Sequence, residues 1–156
     1  MSEVTIGVED PTTDDAQWCL RQYFAELSRL FETGYDPDSD AGFDVSEFQG
    51  PDGAMMIIRN GRDPIGCGAV RVFDAGRAEI KRMWIYDNHR GKGLATRLLS
   101  TLEQWAIDRG LERVVLDTNS ALTTAIAMYQ AKGYVEIDRY NDGPYPDRWF
   151  EKRLAN

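Results

Sequence analysis

Six residues, Arg90-Gly91-Lys92-Gly93-Leu94-Ala95, separate an alternating apolar strand that ends near Tyr86 from an amphipathic helix that begins near Leu94. A strand that passes through a glycine-rich turn straight into a helix places an α/β layer at the middle of the chain and leaves the helix's first amides facing a gap. Those amides and the positive end of the helix dipole suit a pyrophosphate, and two glycines let a bulky anion approach the main chain closely. Arg90 and Lys92 add positive charge. Two common phosphate motifs do not fit. The nucleoside-triphosphate loop needs Gly-Lys and then Ser or Thr, whereas Lys92 is followed by Gly93. The dinucleotide fingerprint would use Gly91 and Gly93 but then meets Thr96, and the acidic residue expected about 20 positions on falls near the helix end at Asp108 rather than on a strand. An ordinary tight strand-to-helix turn would use glycine in the same way.

The rest of the chain gives this turn its setting. Val4 to Val8 alternates like a strand, and Pro11 to Asp15 supplies turn and acidic residues suited to a helix start. Leu20, Phe24, Leu27 and Phe31 then recur with helical spacing, and Gly34 ends the helix. From Tyr35 to Pro51 the chain is polar and acidic, with Phe43, Val45 and Phe48 pointing to a short second helix. Three strands are expected between Ala54 and Tyr86, broken by turns at Asn60 to Pro64 and Asp74 to Gly76. Ala95, Leu99, Leu102 and Ala106 form the next helical stripe, closed by Gly110. Arg113 to Asp117 is a strand, and Ser120 to Lys132 is a helix ending at Gly133. Tyr134 to Ile137 and Arg148 to Lys152 complete the pattern as two strands. The expected fold is α/β with a largely antiparallel first half.

At 156 residues the chain is expected to be one domain, residues 1–156. Its net charge of −8 argues against an unaided grip on nucleic acid or an anionic membrane, and mostly aids solubility. No run approaches the roughly 18 apolar residues of a membrane span and no basic-then-apolar leader opens the chain, so the cytoplasm is the expected compartment. Cys19 and Cys67 are two thiols in apolar contexts, expected to be reduced and buried. A lone histidine, His89, removes triads and histidine-based metal sites, and no metal is expected.

The motif Arg90-x-x-Gly93-x-Ala95 resembles the acetyl-CoA signature of the GNAT superfamily of N-acetyltransferases, and Ala125, Tyr129, Gly133 and Tyr134 resemble the ending of that family's last motif. The resemblance runs from about Ile57 to Leu154. The front segment, from Asp10-Pro11 to Leu27, looks like acetyltransferase domains elsewhere fused to MarR-type regulators. The resemblance implies a mixed, mostly antiparallel sheet flanked by helices, with the strand from Glu79 splayed away from Arg113 to Asp117. It implies acetyl-CoA as co-substrate, held by Arg90, Gly91, Lys92, Gly93, Leu94 and Ala95 and along the strand by Met83, Trp84 and Ile85. Many relatives carry an Asn where this chain has Leu122, and Asn119 is the candidate to replace it.

Acetyl transfer to an amine needs a base, a polarised thioester and an acid for the departing thiolate. The resemblance assigns Glu79 as base, counted in phase with Met83 and Ile85, or else as a strand glutamate paired with Lys81 or Arg77. It assigns Tyr129 as acid, although the helical spacing alone makes it a core tyrosine beside Leu122 and Ile126. A main-chain N–H near Met83 would polarise the carbonyl. The acidic run Glu32, Asp36, Asp38, Asp40, Asp44 and Glu47 would attract a cationic amine or simply face solvent. Tyr140, Tyr145, Trp149 and Phe150 would floor an acceptor pocket or pack the last strands. The expected acceptor is the amine of a small molecule or peptide, with an acyl-CoA sensor and a protein lysine or N-terminal acetyltransferase as the alternatives. A homodimer is left open.

Overall fold

Residues 54–58 and 65–70 run apolar without a break rather than alternating, because the strands they form are covered on both faces. The computed structural model describes residues 3–31, 34–36 and 45–154. Strand β1 (Val4–Glu9) leads to helix α1 (Asp14–Leu30), a 3-10 turn at Val45–Phe48, and strands β2 (Gly53–Asn60), β3 (Asp63–Val72) and β4 (Arg77–Ile85). A 3-10 turn at Asp87–His89 precedes helix α2 (Leu94–Asp108), strand β5 (Arg113–Thr118), helix α3 (Thr123–Ala131) and strands β6 (Val135–Ile137) and β7 (Arg148–Arg153). The sheet has seven strands in the order β1-β2-β3-β4-β5-β7-β6, antiparallel except where β4 meets β5. This is the mixed, mostly antiparallel α/β arrangement expected.

Each helix starts and packs for a local reason. Thr13 caps α1 by accepting from the Ala16 amide at 3.2 Å, and Asp14 and Asp15 sit at the positive end of its dipole. Ala16, Cys19 and Leu20 of α1 meet Met55, Ile57, Cys67 and Trp84 on one face of the sheet. Leu94, Leu98, Leu99 and Leu102 of α2 meet Met56, Ile58, Val70 and Ile80 on the other. Burying each of those leucines stabilises the fold by roughly 1.5–3 kcal/mol. Cys19 and Cys67 are buried free thiols in the α1-side core. Helix α3 begins at Thr123 rather than Ser120, because Asn119 Oδ1 accepts from the Ala121 amide and makes a turn first. The short helix expected around Phe48 is the 3-10 turn, and Phe43 lies outside the described residues.

One irregularity shapes everything beside it. Cys67 pairs with Trp84 but Ala69 pairs with Lys81, so Arg82 and Met83 together oppose Gly68 across the β3–β4 ladder. This is a bulge, and Arg82 adopts φ 60° to make it. A left-handed backbone at a non-glycine residue costs about 1–2 kcal/mol. Its surroundings hold it there: the Cys67 thiol donates to the Arg82 carbonyl at 3.3 Å, and the Arg82 guanidinium donates to the Tyr35 hydroxyl at 2.7 Å. Past the bulge β4 no longer follows β5. Their pairing runs from Arg77 opposite Arg113 to Ile80 opposite Leu116 and stops, although both strands continue.

Candidate active site

Two adjoining cavities fill the gap where β4 and β5 part. The larger, about 510 Å³, is bounded by α1, the end of β4, the turn before α2, and α3. The smaller, about 80 Å³, lies between α1, the middle of β4, the end of β5 and the loop before β7. Tyr23, Leu27, Met83, Leu122, Ala125 and Tyr129 face both.

Gly91, Gly93, Leu94, Ala95 and Thr96 line the larger cavity together with Met83, Trp84 and Ile85. Gly91 and Gly93 both have φ 77°, a conformation that side chains rarely adopt, and Gly93 occupies the cap position of α2 with no side chain to satisfy the helix. Among the described residues, no hydrogen bond uses the amides of Leu94, Ala95 or Thr96, whereas the Arg97 amide donates to Gly93 at 3.1 Å. Three unused amides at a helix start, beside an open cavity, fit the diphosphate of a coenzyme. The β5-facing edge of β4 beyond Ile80 is likewise without a strand partner and offers main chain to the coenzyme's arm.

Other expected ligands are placed differently. Arg90 lines the cavity, but its guanidinium is tied to Glu26, to Asp87 at 2.9 Å and, through Nε, to the Ile85 carbonyl at 2.8 Å. Its charge is therefore balanced by the protein, and the Ile85 carbonyl is already in use. Lys92 is exposed and is not among the residues facing the cavity. The Trp84 ring packs edge-on to Trp18 in the α1-side core. Asn119 borders the smaller cavity instead, and its side chain is committed at both ends, to the Tyr145 carbonyl at 2.7 Å and the Ala121 amide at 2.9 Å.

The two expected catalytic residues part company. Tyr129 faces both cavities from α3, 7% exposed, and its hydroxyl meets the Met83 sulfur at 3.8 Å. Burial, reinforced by Tyr23 and the Asp117 carboxylate, raises its pKa well above the ordinary phenol value, so it is held as a proton donor. Glu79 faces neither cavity. The bulge at Arg82 breaks the two-residue phase on which its position was counted, so Glu79 shares the sheet face of Trp84 rather than that of Met83 and Ile85. Its carboxylate is fully buried, held by Arg71 at 2.8 and 2.9 Å and by the Tyr140 hydroxyl at 2.6 Å. Lys81, one of the partners considered from sequence, stands 3.9 Å away.

The carboxylate that does face the smaller cavity is Asp117, at the end of β5. Lys81 at 3.4 Å and Asn141 at 2.6 Å both bond its Oδ2, and among the described residues Oδ1 has no hydrogen-bond partner. Nothing in the sequence marked it beyond its place at a strand end beside the splay. Of the four aromatic residues expected near the acceptor, only Tyr145 lines the cavity; Tyr140 binds Glu79, Trp149 donates to Asn141 at 3.0 Å, and Phe150 is core. Of the acidic run, Glu32, Asp38, Asp40 and Asp44 lie outside the described residues, and Glu47 is paired with Arg71. Among the described residues no group of His, Cys, Asp or Glu could hold a metal, and no helix is long and apolar enough to cross a membrane.

Similarity to known proteins agrees with this geometry. The chain is 33% identical over 149 residues, covering 94% of each protein, to an IAA acetyltransferase of Azospirillum brasilense. It is 26% identical over 136 residues to an uncharacterized N-acetyltransferase of Schizosaccharomyces pombe, covering 86% of this chain and 83% of that one. In fold it matches a GNAT-family acetyltransferase of Staphylococcus aureus with TM-score 0.83 at 14% identity, covering 98% of this chain and 100% of the other. It also matches one from Elizabethkingia anophelis solved with acetyl-CoA bound, with TM-score 0.67 at 16% identity over 97% and 98% of the two chains. Residues 19–134, which take in most of α1, the bulge, the glycine turn and the α3 tyrosine, match the Acetyltransferase (GNAT) family as a unit, and the chain belongs to that family.

Proposed function

We propose that the protein transfers the acetyl group of acetyl-CoA directly to a primary amine of a small molecule. The observation that carries this reading is the meeting, across one gap, of a buried protonated phenol and a carboxylate oxygen that no described residue bonds, beside three helix amides unused among the described residues. The amides of Leu94 to Thr96 would hold the diphosphate. The unpaired edge of β4 would run along the pantetheine arm, and a main-chain N–H near Met83 would polarise the thioester carbonyl. An alkylammonium has a pKa near 10, so it must lose a proton to become a nucleophile. Asp117 Oδ1, directly or through water, takes that role in place of Glu79.

As the amine attacks, the C–N bond forms and the C–S bond then breaks. Of the two protons the ammonium gives up, one leaves by way of Asp117. Tyr129 donates its proton to the sulfur and is restored by the second. The size of the acceptor cavity supports a small molecule over a folded protein. A thiol-release assay with acetyl-CoA and a panel of amino acids, polyamines, aminoglycosides and peptides tests the reading. Tight acetyl-CoA binding with no acceptor turned over would favour the sensor instead.

A further inference from the structure

Lys81 is 8% exposed, lines the smaller cavity, and carries an ammonium with three N–H donors. Among the described residues, one hydrogen bond engages it, to Asp117 Oδ2 at 3.4 Å, beyond the usual 2.7–3.2 Å range for such bonds. Glu79 Oε2 is farther still, at 3.9 Å, and is already taken at 2.6 Å by the Tyr140 hydroxyl. Two further acceptors beside it are committed elsewhere: the Thr118 carbonyl accepts from the Asp147 amide at 3.0 Å, and the Asn119 side-chain oxygen accepts from the Ala121 amide at 2.9 Å. A buried ammonium with donors left over is unfavourable unless something supplies the acceptors. The open side of Lys81 is the cavity where the amine enters.

We propose that the acceptor is an α-amino acid, or a compound with an amine and a carboxylate similarly close together, whose carboxylate is bound by Lys81 while its amine faces Asp117 Oδ1. This rests on the acetyl-transfer reading above and names its substrate class. Lys81 supplies charge-assisted hydrogen bonds to the carboxylate, and Asp117, flanked by Lys81 on Oδ2, presents its other oxygen to the ammonium. A simple amine leaves the buried Lys81 donors idle. A site built around a hydrogen-bonding group rejects analogues that lack it far more strongly than a missing methylene would predict.

The test uses matched triples, the free amino acid, its carboxamide and its decarboxylated amine, for alanine, leucine and phenylalanine. Each is assayed by thiol release with acetyl-CoA and by calorimetry against the coenzyme A-loaded protein. At least one free acid should be used with kcat/KM about 30-fold above its amide and amine, mainly through KM. Lys81→Met should bring that ratio to within about threefold of one, and Lys81→Arg should retain most of it. If thiol release fails with every amine, the transfer reading fails. Lys81-dependent calorimetric binding of the free acids would still support the carboxylate site. Equal use of acids and amides, a preference that survives Lys81→Met, or no carboxylate-dependent binding by calorimetry overturns the proposal.

Discussion

The Tyr129 hydroxyl and the Met83 sulfur stand 3.8 Å apart, bringing α3 to the stretch of β4 that has parted from β5. A phenol held protonated and already directed at a sulfur is well placed to protonate a departing thiolate. Tyr129→Phe should lower kcat about 100-fold, within the range general acids supply, while the calorimetric Kd for acetyl-CoA changes less than threefold. The raised pKa also sets a sign: no loss of rate with rising pH should come from Tyr129 below about pH 10, where an ordinary phenol begins to ionise.

Asp117 and Glu79 separate chemistry from stability. Asp117→Asn should lower kcat by about 100-fold, with urea unfolding changed modestly. Glu79→Gln should do the reverse. It breaks the pair between the fully buried Glu79 carboxylate and the partly buried Arg71, and unfolding should show a loss of about 3 kcal/mol with kcat within fivefold. A collapse of kcat in a folded Glu79→Gln protein would return the base to Glu79.

Gly93 tests the coenzyme turn. A side chain there meets no protein atom within 4 Å, so the fold would lose only the backbone strain of φ 77°, about 1 kcal/mol for Gly93→Ala. Acetyl-CoA affinity should fall about 10-fold for alanine and beyond detection for Gly93→Asp, which adds repulsion. Unchanged calorimetric affinity in Gly93→Asp would refute the diphosphate site.

Glu26 neutralises Arg90 at the rim of the same cavity. Removing that charge with Glu26→Gln would leave Arg90 held by Asp87 and the Ile85 carbonyl but take one negative charge from the cavity rim, so acetyl-CoA should bind about two- to fivefold more tightly at low salt. The gain should fade at high ionic strength. The ion pair itself is partly exposed and adds at most about 1 kcal/mol to stability.

Tyr129, Tyr134 and Tyr140 all have pKa values raised chiefly by burial. Each stays protonated in the folded protein where the unfolded chain would ionise, so the unfolded state binds fewer protons above pH 10. Stability is therefore intact below that pH and falls as pH rises beyond it. These three should ionise only with unfolding in an ultraviolet titration.

Much of this was legible from residue order alone. Helical stripes such as Leu99, Leu102 and Ala106 and the glycine turn at Gly91 and Gly93 report local backbone preferences, which sequence carries directly. Glu79 was not legible in the same way, because a period of two assumes an unbroken strand and Arg82 inserts a residue with no glycine in its own strand to announce it. Lys81 and Asp117 were missed because their meeting depends on two strands that touch upstream and diverge downstream, a relation between segments 36 positions apart. Arg90 was read as a ligand from its charge and its place in the motif; it lines the cavity, but nothing in the residue order shows that Glu26, on a helix far earlier in the chain, pairs with it.

Shortening β4 by the single residue Arg82 would let the strand zip onward against its parallel neighbour. Trp84 would keep its place opposite Cys67 and under the first helix, and the sheet would gain hydrogen bonds while losing the room in which a thioester could lie. One surplus amino acid thus separates a better-knit fold from a working one.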